Sequence, residues 1–292
     1  MTRRNYIAYF LPLVIVGLTA GGTVYHLLNT EEKEYVEERV TVQNEVKVTK
    51  RVPTSDEDWG KVDCPLEGLS IDHMNLYNYL SEPTINCTFK ISVGGKFHKN
   101  YFDGQKWICI DRKYKIKTNS CIVLSFGISS DWSFDDEIDS VFGCKVYAFD
   151  PTIGQRDHNR SKNIMFYNLG ISDRPGFMRS GKVDSYSNIL KLLNLENAII
   201  DYLKMDVEGS EFKFFSDVIS NTPNLLKNVK QIGMEVHLPG HQGAAWQHFQ
   251  RLDCLGFKLM FYGYNPISPV RKVNGRERTT LYEVVWGREA AW

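Results

Sequence analysis

The stretch from Asp201 to Phe215 reads DYLKMDVEGSEFKFF. Its apolar first half predicts a buried strand that stops on Asp206. Glu208 and Gly209 supply a turn, and Ser210 is placed to cap a helix that begins at Glu211. A strand that delivers carboxylates to its C-terminal end and then passes into a helix is the usual build of an α/β active-site edge. A second strand, predicted from Gln231 to Val236, ends beside Glu235 and His237. Asp206, Glu235 and His237 are side chains that can take a proton from an alcohol or orient one. Asp206 is the first expected proton acceptor, with Glu235 and His237 orienting the acceptor molecule. Glu208 has a plainer role available, capping the helix that follows. Asp206, Glu208, Glu235 and His237 are also donor types that suit a divalent metal, but their spacing alone assigns none, and no metal is expected.

An upstream loop offers a place for a nucleoside. The run Cys121–Phe126 predicts a buried parallel strand, and Gly127 follows it directly. Dinucleotide binding needs a GxGxxG turn so that backbone and helix terminus can hold a pyrophosphate, and that motif is missing here. S-adenosylmethionine carries no phosphate and tolerates a looser loop. Gly127 would let the backbone pass close under its methionine part, with Asp131 near the ammonium group. Asp150 ends the next predicted strand, Cys144–Phe149, where an acid can accept from both ribose hydroxyls. Ser172 and Asp173 stand at the end of the third strand, Asn163–Asn168, where an adenine amino group would lie.

These residues need a sheet to position them. The alternation of short apolar runs with helical stretches continues through strands at Tyr202–Met205, Gln231–Val236 and Phe257–Tyr262 and a last one at Thr279–Trp286. Ser133 is placed to cap a helix, and further predicted helices start at Ser185 or Ser187, at Glu211 and at Ala244. Residues between Ser172 and Asp184 read as a polar loop. The final two strands lack a helical crossover and predict an antiparallel hairpin at one edge. The order predicts a doubly wound, mostly parallel α/β sheet rather than a closed barrel. Residues 59–118 have a broken texture and are expected to cap one end of this domain, which spans residues 119–292. Trp132 is placed either to pack on the ligand or to join the core.

The N-terminus sets the expected compartment. Arg3 and Arg4 precede Tyr6–Leu28, a run free of Asp, Glu, Lys and Arg. About 20 apolar residues span a bilayer core. The charge order places residues 1–5 in the cytosol, residues 6–28 in the membrane as a signal anchor and residues 29–58 as a lumenal stalk. Cleavage near Ala20-Gly21-Gly22 is the alternative and would release the chain. Either route leads to the endoplasmic reticulum or Golgi lumen, an oxidising space. There the six cysteines suit disulfides, and Asn86-Cys87-Thr88 and Asn159-Arg160-Ser161 are glycosylation sequons. Lys plus Arg and Asp plus Glu number 35 each. That balance gives no basic face for a nucleic acid.

Four segments in order carry a family resemblance: SFGISSDWSFDDEI with GCKVYAFDP, MFYNLGISD, IIDYLKMDVEGSEFKFF and IGMEVH. Together they resemble the FkbM-type and methyltransferase-like 24 group of S-adenosylmethionine-dependent methyltransferases, over about residues 107 to 286. The resemblance implies a seven-stranded class I methyltransferase fold, Rossmann-like in its winding. It puts Gly127 in the glycine-rich motif, Asp150 at the ribose, and Asp206 with Glu208 on the acidic edge beside the transferred methyl. The first motif departs from the family's DVGAN-like run: Ser125 stands in place of its acid, and Ser129 takes a position that is usually glycine or small and apolar. The expected activity is O-methylation of a glycan or small hydroxylated acceptor in the secretory pathway. The alternatives are a catalytically silent, methyltransferase-like binding module and, ranked below it, a lumenal glycosyltransferase using Asp206-Val207-Glu208.

Overall fold

The computed structural model describes residues 72–98, 100–238, 242–265, 268–273 and 275–290, together with residues 69 and 292. The expected membrane segment, stalk and cytosolic tail, Cys64 and His241 lie outside the described residues. Among the described residues no helix is long and apolar enough to cross a membrane. The described residues belong to one compact unit.

An eight-stranded sheet organises that unit. Its strands are β1 (Ile122–Phe126), β2 (Lys145–Phe149), β3 (His158–Asn159), β4 (Ile164–Tyr167), β5 (Tyr202–Met205), β6 (Gln231–His237), β7 (Phe257–Tyr264) and β8 (Leu281–Arg288). They lie in the order β7-β8-β6-β5-β1-β2-β4-β3. The central pairs are parallel. β8 runs antiparallel between β6 and β7, and β3 antiparallel to β4. The chain steps outward from β1 to β2 and β4, then returns to β5 and steps outward the other way. This reversal opens a crevice beyond the C-terminal ends of β1 and β5, where open α/β sheets take their ligands. The doubly wound sheet and the closing antiparallel pair match the sequence reading. The strand number does not, because the two-residue β3 is too short to leave a hydrophobic pattern.

Both faces of the sheet are buried, which explains why the central strands read as apolar runs without alternation. In β5, Leu203 and Met205 face a core with Phe214 and Phe215 of α4 (Glu211–Asn221) and Phe249 of α5 (Gln242–Cys254). Tyr202 faces the opposite core, with Phe134 and Ile138 of α2 (Ser133–Phe142). Two further α-helices among the described residues, α1 (His73–Tyr79) and α3 (Tyr186–Leu193), add Leu76, Tyr77, Ile189 and Leu190 to the first core.

The segment before β1 is pinned across the sheet. Its strand Lys106–Cys109 exchanges hydrogen bonds with the Gln231 side chain, from Cys109 N (2.9 Å) and to Cys109 O (2.8 Å). Tyr202 Oη donates to Trp107 O at 2.8 Å. Gly233 makes room for that phenol, since a Cβ there would sit 1.6 Å from the hydroxyl oxygen. The first residue of this strand, Lys106, is buried. Disulfides join Cys87 to Cys109 and Cys121 to Cys144, and Cys254 is disulfide-bonded as well.

Two local expectations are corrected. Trp132, not Ser133, is the N-cap of α2, and the Ser133 hydroxyl instead accepts from Gly95 N at 2.8 Å. The polar stretch after Ser172 is not a loop. It is a ribbon in which Gly176–Met178 pairs with Gly181–Ser185, and the latter pairs with Gly170–Ser172. Such strands of three to five residues are held by pairing with neighbours and carry little pattern of their own.

Candidate active site

A cavity of about 680 Å³ lies in the crevice, within the size range of small-molecule sites. Gly127, Ile128, Ser129 and Asp131 line it from the loop after β1, and Asp150 from the end of β2. Ile171, Met178 and Val183 come from the ribbon, and Asp206 and Glu235 from β5 and β6. The ribbon side thus carries Ile171, Met178 and Val183 together with Arg179 and Ser180, and Asp206 and Glu235 make the other side acidic.

Gly127 is required at the turn. Its φ is +80°, and a Cβ would meet the Asp206 carbonyl oxygen at 1.6 Å. The two strand ends approach so closely that only glycine fits between them. Lys204 Nζ donates to the Gly127 carbonyl oxygen. Lys204 is buried in β5, and burial holds its pKa below the ordinary lysine value, with Asp206 opposing. Asp135, fully buried at the start of α2, has its carboxyl pushed up to about 6 by burial, with Lys204 opposing.

Asp150 lines the cavity as expected, but its oxygens are engaged by the chain itself. Oδ2 accepts from Ile128 N (2.9 Å) and Ser129 N (2.7 Å), and Oδ1 accepts from Thr152 N (2.7 Å) and Thr152 Oγ1 (2.6 Å). A carboxylate offers about four lone-pair sites, so a ribose would have to share them. Asp131 accepts from Ser133 N at 3.0 Å and pairs with Lys96 at 3.3 Å. Burial works against its charge, but these partners hold its carboxyl below the usual range.

Ser172 and Asp173 are not brought to the cavity wall. The Ser172 hydroxyl donates to Asp173 Oδ1 at 3.0 Å, and Asp173 pairs with Arg174. Trp132 also faces elsewhere. Its ring lies under the Arg160 guanidinium (4.4 Å) and against Phe166 (5.6 Å).

The expected trio does assemble. One ligand-type atom from each of Asp206, Glu235 and His237 lies within 4.8 Å of the others. His237 Nδ1 contacts Glu211 Oε1 at 2.8 Å, while Nε2 faces Glu208 at 3.3 Å and Glu235 at 3.8 Å. Burial disfavours the imidazolium, but the bond to Glu211 and the surrounding carboxylates outweigh it and raise the pKa to about 9. Glu235 is pushed up to about 8 by burial and by the charges of Asp206 and Glu283. Burial pushes Asp206 the same way, yet Lys106 and Lys204 hold it below the carboxylate range. The three groups therefore divide: Asp206 stays an anion, His237 a cation, and Glu235 exchanges its proton near neutrality.

Lys106, Lys204, Glu211, Glu283 and Thr152 escape sequence reasoning. Lys106 bridges Glu283 (2.6 Å) and Asp206 (3.4 Å) from the pinned strand. Lys204 alone left a signal, a lysine inside an apolar run that is otherwise fully buried.

A family model described as a methyltransferase domain matches residues 42–265. Two curated relatives are similar over part of their length, both called probable methyltransferase-like protein 24. The one from Rattus norvegicus is 28% identical over 145 residues, 46% of this chain and 39% of its own. The one from Homo sapiens is 27% identical over 180 residues, 55% of this chain and 48% of its own. The chain thus spans less than half the length of either relative. Among solved structures, a precorrin-6y C5,15-methyltransferase from Geobacter metallireducens GS-15 aligns with a TM-score of 0.32 and 8% identity. That alignment covers 61% of this chain and 85% of that one.

Proposed function

The chain belongs to the methyltransferase-domain family, and from that premise we propose that it transfers a methyl group from S-adenosylmethionine to an oxygen of a glycan or small hydroxylated acceptor. The observation that carries this reading is the cavity at the point where the sheet's winding reverses, with the Gly127 loop on one wall and Asp206 and Glu235 on another.

The residues fit the donor. Ile171, Val183 and Met178 offer an apolar wall for an adenine. The Gly127 turn gives close backbone approach, and the anionic side chains of Asp131 and Asp206 suit an ammonium and a sulfonium. The bound donor supplies an electrophilic methyl carbon. The chain's own contribution is placement, which brings the acceptor oxygen in line with that carbon, and removal of the hydroxyl proton. Glu235 is the group whose pKa suits that transfer near neutral pH. Protonated His237, held by Glu211, orients the acceptor beside it.

The setting we propose is the lumen of the endoplasmic reticulum or Golgi, with residues 6–28 as a type II anchor and the sequons at Asn86 and Asn159 available for glycosylation. The paired cysteines support an oxidising compartment.

One observation favours a second reading, a silent binding module: the four hydrogen bonds that engage Asp150. Incubating the full chain with methyl-labelled S-adenosylmethionine and a panel of glycans and hydroxylated small molecules separates the two. Alkali-stable label on an acceptor oxygen supports the transferase. A folded chain that takes up no donor and labels no acceptor supports the module.

A further inference from the structure

The trio at the acidic end of the cavity has the composition of a cation site. Asp206 and Glu235 stand at the C-terminal ends of adjacent parallel strands, and His237 closes β6. Strands fix backbone positions more tightly than loops, so the convergence within 4.8 Å is built into the sheet. The imidazole is also directed. Glu211 is fully buried in the first turn of α4 and holds Nδ1, which leaves Nε2 facing the carboxylates. Metal-bound histidines characteristically give their second ring nitrogen to such a carboxylate, which fixes the tautomer and the ring.

The local charges point the same way. Five carboxylates crowd this end of the cavity: Asp206, Glu208, Glu211, Glu235 and Glu283. Two lysines face them. Lys106 sits closest to Glu283, at 2.6 Å against 3.4 Å to Asp206, and Lys204 is engaged by the Gly127 carbonyl. Negative charge is left over around His237 Nε2. Asp206 and Glu235 also line the cavity, so an ion held here keeps coordination positions open to water or a bound oxygen, the mark of a catalytic rather than a structural site.

We propose that Asp206, Glu235 and His237 Nε2 bind one divalent cation, which displaces the Nε2 proton and takes over the orienting role of the protonated imidazole, with Glu211 as the residue that positions the histidine. One imidazole nitrogen with two carboxylates suits a first-row ion such as Mn²⁺ or Zn²⁺ better than Mg²⁺ or Ca²⁺, which favour all-oxygen shells. At this place the ion orients an acceptor oxygen toward the donor. That use rests on the methyl-transfer reading, but binding of the ion does not.

The test is a titration of the metal-stripped full chain with MnCl₂, without donor, followed by electron paramagnetic resonance. The expected result is one saturable Mn²⁺ per chain, with coupling to an imidazole ¹⁴N in the pulsed spectrum. His237→Ala should abolish that coupling and weaken binding at least about tenfold. Glu211→Gln should weaken binding by about 10- to 100-fold while leaving the nitrogen coupled. Absence of saturable Mn²⁺, or saturable Mn²⁺ without nitrogen coupling in the unaltered chain, overturns the proposal, and neither result depends on a variant folding. Calorimetry with S-adenosylmethionine on the same metal-stripped sample keeps failure of the cation site distinct from failure of the donor site.

Discussion

Lys204 Nζ donates to the carbonyl oxygen of Gly127, joining the middle of β5 to the turn that ends β1. The bond crosses the point where the sheet's winding reverses, so it sets the distance between the donor loop and the acidic edge. Asp135 lies fully buried nearby, and its electrostatic partner is Lys204.

Replacing Lys204 with Met keeps the packing volume but removes the cation. The Gly127 carbonyl loses its donor, and Asp135 loses its compensating charge. The hydrogen bond from the Lys204 ammonium to the Gly127 carbonyl is charge-assisted and worth about 1.5–3 kcal/mol, and urea unfolding at pH 7 should show a loss of about that size. Asp135→Asn should act in the opposite sense. Its folded-state pKa, about 6 against an ordinary 3.8, means that the folded chain holds this proton more tightly than the unfolded chain does. Stability from this group is therefore lost as pH rises from about 4 to 6. The substitution should recover on the order of 3 kcal/mol above pH 6 and nothing below pH 4.

Asp150→Asn separates two roles. A residue that only receives ribose hydroxyls would, when changed, weaken donor binding and leave stability alone. The four internal hydrogen bonds predict that both fall together. An asparagine cannot accept from Ile128, Ser129 and Thr152 at once, and hydrogen bonds to a charged group are worth about 1.5–3 kcal/mol each. Thermal unfolding with and without donor reads both quantities, and unchanged stability would contradict the geometry.

The pH dependence of turnover should be bell-shaped. In the presence of a chelator, kcat/KM should rise through about pH 8 as Glu235 loses its proton and fall above about pH 9 as His237 loses its own. Glu235→Gln should remove the rising limb. Stability should follow a different course. Both groups bind protons more tightly when folded, against ordinary values of 4.5 and 6.5. Each therefore makes stability fall as pH rises toward its folded value.

The Cys121–Cys144 bridge ties together the starts of β1 and β2 and closes a span of 23 residues. The chain-entropy model gives such a loop about 3 kcal/mol of stabilisation. The double substitution to serine should lower stability by about that amount. Donor affinity should be retained in the folded fraction, because the bridge sits at the opposite end of the strands from the cavity.

The sheet and its acidic edge were legible for one physical reason. β5 is buried on both faces and ends at a carboxylate, so its apolar run alone marks its bounds, Tyr202–Met205. The ribbon at Gly176–Ser185 was missed because its strands depend on one another rather than on an internal pattern. Lys106 was missed because its burial depends on Gln231 and Tyr202, far along the chain, which fix its strand against the sheet. Sequence spacing placed Asp206, Glu235 and His237 at one edge. It did not show that Glu211 turns the imidazole, or that Lys106 holds Asp206 as an anion. Such pKa differences arise from contacts between elements, which one-dimensional spacing does not contain.

The most direct measurement is calorimetric titration of the purified full chain with S-adenosylmethionine, alongside Met178→Trp, which places a larger side chain on the cavity wall. The account predicts saturable binding of one donor per chain, weakened at least about tenfold by the tryptophan, a loss of about 1.4 kcal/mol. A folded chain that takes up no donor, or one whose affinity the tryptophan leaves unchanged, would contradict it.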